Sequence, residues 1–480
     1  MKELISARRA GLVGGALLAI AFASCGGGSD APPTPDTLET LIRDGEVLPG
    51  GFTIATIESA RMSQDLTIAF IASQPGLPSL NGVFVRRPDG NVETVLLPND
   101  PLAGGLSLAT VRNLSMSQTG QFAFEVGDTL DEDGLFYFDG SQTHVLARTG
   151  DQSVLPGFRI LGEIRVTNDG LVVFSDGTSP CTIDTSGGSE RIECDLRIHA
   201  GNGTSVQEVV VPNALTSQTP TSVILQANVR QEVAVGLPGR GNEPLVGRIR
   251  QGEFEGLLNR RQVFPGLGTL LTARPRGISS SGAIAVDGGF DEDGDGARDR
   301  ERVLLFANGT LTSIESTPGG TFEGNPVTGV RAQSIDGRNR VIYTVDFDSA
   351  AAGRELTSLR AWENGQITLI AHAGLPFGGE DEQGNQQSIL EIENIRVADN
   401  GDVVFIATLG FIEEGTRRIT STALLRWNGG GLENVLQAGA SVGGGTLVEL
   451  SIADVTANGD LLIIGSINRE ADRALLLLPR

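Results

Sequence analysis

The residues best placed to do chemistry form one run, Asp291-Glu292-Asp293-Gly294-Asp295-Gly296-Ala297-Arg298-Asp299. Aspartates fall at positions 1, 3, 5 and 9 of this run, with glycine at position 6. A hard divalent cation takes several oxygens at about 2.3–2.6 Å, and a glycine lets the chain wrap around it. Four spaced aspartates with a placed glycine are more ordered than a charge run, so calcium is the expected ligand. The bland reading is a solvated acidic hairpin loop. Asp131-Glu132-Asp133-Gly134 is a shorter run of the same kind and reads as solvated.

Other constellations carry less. Gly439-Ala440-Ser441-Val442-Gly443 matches G-x-S-x-G, but a nucleophile elbow needs a strand before the serine and a helix after it. Here Gly444-Gly445 and another apolar strand follow, so chance explains the match. The three histidines, His144, His199 and His372, are far apart and lack metal-ligand spacing. They are expected as exposed residues of outer strands. No P-loop, HExxH or CxxC is present.

The elements that position these residues repeat along the chain. Residues 114–157 show the unit: a polar strand, a Thr119-Gly120 turn, an apolar strand, an acidic loop, a second apolar strand, an Asp139-Gly140 turn, a fourth strand and a Gly/Pro connector. The first turn recurs at residues 63–65, 118–120, 168–170, 280–282, 335–337, 399–401 and 457–459. The interval from Gly170 to Gly282 is double, and a degenerate copy is expected near Gln231-Glu232. The second turn recurs as Asp89-Gly90, Asp139-Gly140, Asn202-Gly203, Gln251-Gly252, Asn308-Gly309, Asn364-Gly365 and Asn428-Gly429, dipeptides that suit type I′ hairpins.

Eight second strands but seven second turns leave the last unit without its fourth strand. Residues 38–51 (LETLIRDGEVLPGG) match the fourth-strand segments 145–157 and 369–379, so the N-terminal strand is expected to complete the C-terminal unit. Continuous apolar runs such as Val403-Val404-Phe405-Ile406 suit strands buried on both sides. Polar first-strand residues, Arg61, Ser115, Arg165, Arg396 and Asp454, suit a solvated central channel. There the arginines would be solvated or paired with Asp454, or would hold an anionic group at the channel mouth. The expected fold is all-β: an eight-bladed β-propeller of four-stranded antiparallel blades over residues 37–480, with no long helix.

The repeats resemble uncharacterised propeller-like tandem repeats of exported bacterial proteins, whose shared motifs are structural. The acidic run resembles the D-x-D-x-D-G-x-x-D loops of calcium-binding propellers such as integrin α subunits. That resemblance implies side-chain ligands from Asp291, Asp293, Asp295 and Asp299 and a carbonyl ligand from Ala297. It departs from an EF-hand, because Arg302 stands where the bidentate glutamate would be.

The first 24 residues read as an export signal. Lys2, Arg8 and Arg9 precede an apolar stretch too short to span a bilayer, which ends in the small residues Ala23-Ser24. Phe22-Ala23-Ser24-Cys25 resembles a bacterial lipobox, with phenylalanine where leucine is more usual. The resemblance implies cleavage before Cys25 and acylation of that cysteine. Gly26 stands where an inner-membrane retention signal places aspartate, which favours the outer membrane. Residues 25–36 then form a Gly/Ser- and Pro-rich tether. With Cys25 acylated, Cys181 and Cys194 are the remaining thiols, both within one unit between its second and third strands. An exported protein meets oxidising chemistry, so a disulfide between them is expected.

A net charge of −23 argues against nucleic acid and against charge-driven docking on anionic membranes. Membrane contact is expected through the lipid anchor only. The reading that results is a monomeric, lipid-anchored envelope propeller, facing the periplasm or the exterior and binding protein or glycan without catalysis. The alternative is a hydrolase or lyase of extracellular polymers with acidic residues at the channel mouth. Propellers host both. Two channel-mouth carboxylates with shifted pKa values would favour the enzyme; a flat aromatic-rimmed face would favour binding.

Overall fold

Each apolar run after a first turn forms the second strand of an antiparallel sheet and is buried on both faces. Leu461, Leu462 and Ile463 are fully buried, as are Val403, Val404 and Phe405. The computed structural model describes residues 37–480 except 99, 101–109, 128–132, 149–157, 185–190, 204, 212–222, 229, 238–242, 350–353, 382–383 and 414–415. The signal segment, Cys25 and the tether lie outside these residues, as do Asp131 and Glu132. The helical content of the described residues is a single 3-10 turn, Pro49–Gly51. None of their helices is long and apolar enough to cross a membrane.

The strands assemble into an eight-bladed propeller. Blades 1 to 8 are numbered by their inner strands, Thr56–Met62, Thr110–Met116, Phe158–Val166, Ile224–Ala227, Gly268–Ile278, Asn325–Ile335, Gln386–Val397 and Gly445–Val455. Each blade then runs outward through three more antiparallel strands. The degenerate fourth copy is a full blade, with Glu232–Gly236 as its second strand. Apolar clusters fill the layers between blades, so the core is a ring of interfaces rather than one centre.

The ring closes as the strand count requires. Glu39–Arg43 pairs antiparallel with Arg473–Leu478, with Glu39 opposite Leu477 and Arg43 opposite Ala474. Ile42, Leu48 and Phe52 are buried against Leu475, Leu477 and blade 1 residues Ile57 and Phe70. Arg43 fastens the join by donating through Nη2 to the carbonyl of Gly443 at 2.6 Å. The Asp44 carboxylate accepts from Arg473 N at 2.7 Å.

The meander gives the propeller two unlike faces. The turns from first to second strand and from third to fourth strand lie on one, here the turn face. The loops from second to third strand and the connectors between blades lie on the other, the loop face. On the turn face, neighbouring blades are stitched together. Gln64 N donates to Gln118 O at 2.9 Å, Gln118 N to Asn168 Oδ1 at 2.8 Å, and Asn400 N to Ala457 O at 3.0 Å. On the loop face, several connectors fold into miniature hairpins that the repeat pattern did not announce, such as Val47–Leu48 with Phe52–Thr53. The outer residue is exposed and the next is tucked in, as with Val47 and Leu48.

The type I′ expectation holds for part of the set. Both central residues have positive φ at Gln251-Gly252, Asn308-Gly309 and Asn364-Gly365. At Asp89-Gly90, Asp139-Gly140, Asn202-Gly203 and Asn428-Gly429 only the glycine does. In those loops the Asp or Asn side chain accepts local backbone N–H groups instead, as Asp139 Oδ1 does from Ser141 and Gln142.

Candidate functional site

The acidic run forms the loop between the second strand (Ile284–Asp291) and third strand (Arg300–Ala307) of blade 5, on the loop face. Asp291 is buried at its base, and its two carboxylate oxygens accept from Gly294 N at 2.6 Å and Gly296 N at 2.9 Å. Both glycines have φ of 86°, which lets the loop coil around that carboxylate. Asp299 Oδ2 accepts from Glu292 N at 2.6 Å. Oxygens of Asp291, Asp293 and Asp299 lie within 4.8 Å of one another. Asp295 turns Oδ1 to Ala297 N at 2.7 Å and stands outside that set. Three converging carboxylates are a donor set that suits a hard cation. Arg302, in the place of an EF-hand glutamate, pairs with Glu292 at 2.6 Å, and Arg300 holds the other oxygen of Glu292 at 2.9 Å.

The channel gathers the polar first-strand residues. Arg61, Arg165 and Arg396 occupy equivalent positions in blades 1, 3 and 7, two residues before Ser63, Thr167 and Ala398, whose N–H groups close the first turns. Each folds its Nη1 onto the carbonyl of the residue before it, at 2.8, 2.8 and 3.1 Å respectively. Arg61 acts on the other two: burial lowers the pKa of Arg396, and repulsion from Arg61 adds to this. Burial likewise lowers that of Arg165, opposed by Glu163 and reinforced by Arg61. Ser115, expected in the same solvated ring, is buried.

The channel acids are committed to holding blades together. Asp454 of blade 8 accepts from Met62 N of blade 1 at 2.9 Å through Oδ2, and from Val455 N at 2.9 Å through Oδ1. Burial raises its pKa, with Arg61 the leading opposing charge. Glu163 of blade 3 accepts from Leu225 N of blade 4 at 3.0 Å. Asp287 of blade 5 accepts from Ala332 N of blade 6 at 2.6 Å, and its other oxygen pairs with Arg276 Nε at 2.6 Å.

Asp287 also lines a cleft that no motif marked. The cleft opens between blades 5 and 6 toward the loop face and has a volume of about 220 Å³. Arg274 and Arg276 line one wall, and Arg331 and Asp346 the other. Burial pushes the carboxyls of Asp287 and Asp346 upward; Arg276 opposes the shift at Asp287, and a hydrogen bond from Thr357 opposes it at Asp346. The turn pattern did not show Arg274 and Arg331 as equivalent: each stands five residues before the residue whose N–H closes the first turn, Ser279 and Asp336, a position that only the turn hydrogen bonds define.

His199 corrects the expectation of exposure: it is buried, stacks on Phe174 at 5.1 Å and meets Asp176 at 2.8 Å. It sits directly opposite Phe174 on the neighbouring strand, and that register turns it inward, toward blade 2. His144 pairs with Asp139 at 2.8 Å on the turn face. His372 contacts the carbonyl of Ala373 at 3.0 Å, and both it and His144 are half-buried rather than exposed as expected. Ser441 lies in a two-residue strand that pairs with the inner strand of blade 8, so no helix follows it. Cys181 and Cys194 fall on the paired strands Val172–Asp184 and Arg191–Gly201. They lie within a register shift between Thr178–Asp195 and Thr182–Glu193; their side chains are outside the described residues.

No protein-family model matches the chain, and no curated protein does. Solved structures do match in architecture. The β-propeller domain of the trilobed protease from Pyrococcus furiosus, described as having an open velcro topology, is 12% identical with a TM-score of 0.41. The match covers 80% of this chain and 98% of that one. Pyrococcus horikoshii acylaminoacyl peptidase is 12% identical with a TM-score of 0.41; the match covers 86% of this chain but 57% of the peptidase. Oligogalacturonate lyase from Vibrio parahaemolyticus is 10% identical with a TM-score of 0.39, covering 92% and 97%. At these identities and scores, none of the three carries this chain to a reaction or a ligand.

Proposed function

We propose that the chain is a lipid-anchored propeller of the bacterial envelope that binds protein or glycan on its loop face as a non-enzymatic scaffold. Cys25 is the acylated residue, the outer membrane the favoured address, and the body a monomer that makes no use of nucleic acid. Calcium bound by the Asp291–Asp299 loop, through the converging Asp291, Asp293 and Asp299, would stiffen that face; Asp295 and the Ala297 carbonyl would join the shell only if the Asp295 side chain left Ala297 N. A disulfide between Cys181 and Cys194 would do the same in blade 3.

The observation that carries the reading is the state of the acids. Asp454 and Asp287 have both carboxylate oxygens tied up, and Glu163 is bound to Leu225 N and Arg165. General acid–base work needs a carboxyl free to reach a substrate proton. Asp346 keeps the polymer-cleaving alternative in view, since it shares a cleft with Asp287 and its carboxyl is raised. The large exposed apolar side chains among the described residues are all aliphatic, which favours a polar or charged contact over a stacked sugar.

The test is a pull-down from native envelope with the acylated protein, run beside an assay for new chain ends in envelope polysaccharide. Stoichiometric capture of a partner, lost when residues 291–299 are replaced by a short Gly/Ser hairpin, supports the scaffold. Steady release of chain ends that Asp346→Asn abolishes would overturn it.

A further inference from the structure

The cleft between blades 5 and 6 has an unbalanced charge. Three of its guanidinium groups are neutralised in place: Arg276 by Asp287 at 2.6 Å, Arg298 by Glu301 at 2.8 Å and Arg302 by Glu292 at 2.6 Å. Arg274 and Arg331 also line it, both exposed, and neither guanidinium makes a hydrogen bond or close ion pair with a described residue, although the charge of Arg331 acts on Asp287 and Asp346. They come from equivalent positions of adjacent blades, so the repeat itself aims them at the same space. Five arginines against three carboxylates (Asp287, Glu301 and Asp346) line the cleft, and this surplus of positive charge favours a negative group between Arg274 and Arg331.

The floor of the cleft is shaped to keep that space open. Gly329 stands directly opposite Asp346 in the sheet of blade 6, and a Cβ there would meet Asp346 Oδ2 at 3.0 Å. At Gly289 a Cβ would meet Thr272 Oγ1 at 2.5 Å and Arg298 Cδ at 2.6 Å, so the missing side chain lets Arg298 fold along the wall. The volume of about 220 Å³ lies below the range of drug-sized pockets and suits one small charged group.

We propose that this cleft binds the oxyanion group of a small ligand, a carboxylate, sulfate or phosphate, between the guanidinium groups of Arg274 and Arg331. The planar guanidinium fork matches such groups with paired N–H donors. Asp346, on the same wall as Arg331, favours ligands that carry their charge at one end and present a hydroxyl or other donor toward it. The proposal stands apart from the scaffold reading, which concerns a macromolecular partner.

The experiment titrates the full acylated chain, in detergent at low ionic strength, with inorganic phosphate, inorganic sulfate and glucuronate, and with glucose as the uncharged control. Binding is read by calorimetry. At least one anion binds and glucose is silent; the anion preferred tells a sugar acid from an inorganic ion. Arg274→Gln and Arg331→Gln each weaken binding about tenfold, the loss expected for one charge-assisted contact. Arg469→Gln, in an exposed loop of blade 8, leaves it unchanged. Both test residues are exposed, so the variants should keep the wild-type melting temperature. No heat with any of the three anions, or equal affinity in the double variant, would overturn the site. Either result leaves the pull-down outcome untouched, so the two proposals fail separately.

Discussion

The turn face and the loop face are built from the same strands and behave as different materials. On the turn face the segments are short and alike, and most of them reach the next blade. Asp336 is fully buried there, accepts from Arg338 N and Arg340 N at 2.9 Å each, and pairs with Arg340 Nε at 3.0 Å. Arg340 in turn lies over the Trp427 ring of blade 7 at 4.6 Å and donates to Gly401 O. On the loop face the segments differ in length and composition, and the acidic loop bonds mainly within itself. Repetition has fixed the face that holds blades together and left the other free to acquire chemistry.

The largest predicted effect tests whether that contrast has an exception. The connector after the closing strand runs over the loop face, yet Leu48, Phe52 and Ile54 are buried. Deleting residues 37–51 should lower the melting temperature sharply or give aggregates, because it opens the ring and wets apolar faces. Deleting residues 27–35 should leave the melting temperature nearly unchanged. Equal stability of the two proteins would mean that the closing strand adds little.

Next comes Asp336→Ala, which strands Arg340 in a buried site and should cost about 3–5 kcal/mol by denaturant titration. A loss under about 1 kcal/mol would show the stitching to be ornamental. On the loop face, reduction of a Cys181–Cys194 bridge should cost about 3 kcal/mol in the loop-entropy model. Free thiols at both positions in protein taken from the envelope would remove that bridge. Calcium should add about 2.7 kcal/mol at a hundredfold excess over its dissociation constant, seen as a rise in melting temperature. Asp293→Ala with Asp295→Ala should abolish the rise and, in chelator, change stability little. Calorimetry silent at millimolar calcium would discard the ion.

The smallest effect is a pH dependence at the closure. Burial raises the Asp44 carboxyl to about 6, with the Arg473 N–H opposing. A carboxyl raised on folding holds a proton that the unfolded chain releases. Its favourable contribution is therefore complete below its unfolded value of 3.8 and is lost as pH climbs through about 6. With the site half exposed, the change is about 1 kcal/mol after screening. Asp44→Asn should flatten stability between pH 4 and 6 relative to wild type. Identical slopes would exclude Asp44 as the source.

The turn face was readable because its constraint is local: reversing two strands in so few residues takes one left-handed residue, which is glycine in Gly401 and Gly459, both at φ of 96°, though Leu66, Gln231 and Asn339 fill the same position in other blades. The closing strand was readable because residues 38–51 copy other fourth-strand segments. Burial of His199 was not, since it depends on which side of blade 3 the third strand presents to blade 2. The cleft escaped for a related reason. Arg274 and Arg331 are 57 positions apart in sequence, and only alignment of whole units shows them as neighbours. Nor could the sequence tell that Asp295 would turn away from Asp291, Asp293 and Asp299, because a spacing rule does not specify which loop N–H each carboxylate takes.

The direction of the closing strand has a mechanical consequence. Glu39 lies opposite Leu477, at the turn-face end of blade 8, and the chain then runs toward the loop face at Arg43. On the proposed acylation of Cys25, the tether therefore leaves the disc from the rim of its turn face, with a root-mean-square reach of about 20 Å. The disc would hang with its stitched side toward the bilayer and its loops outward, where ligands arrive. Any pull from the membrane would load the Glu39–Leu477 pair first and peel the strand one pair at a time, and the Arg43 clasp onto Gly443 would be the last to give.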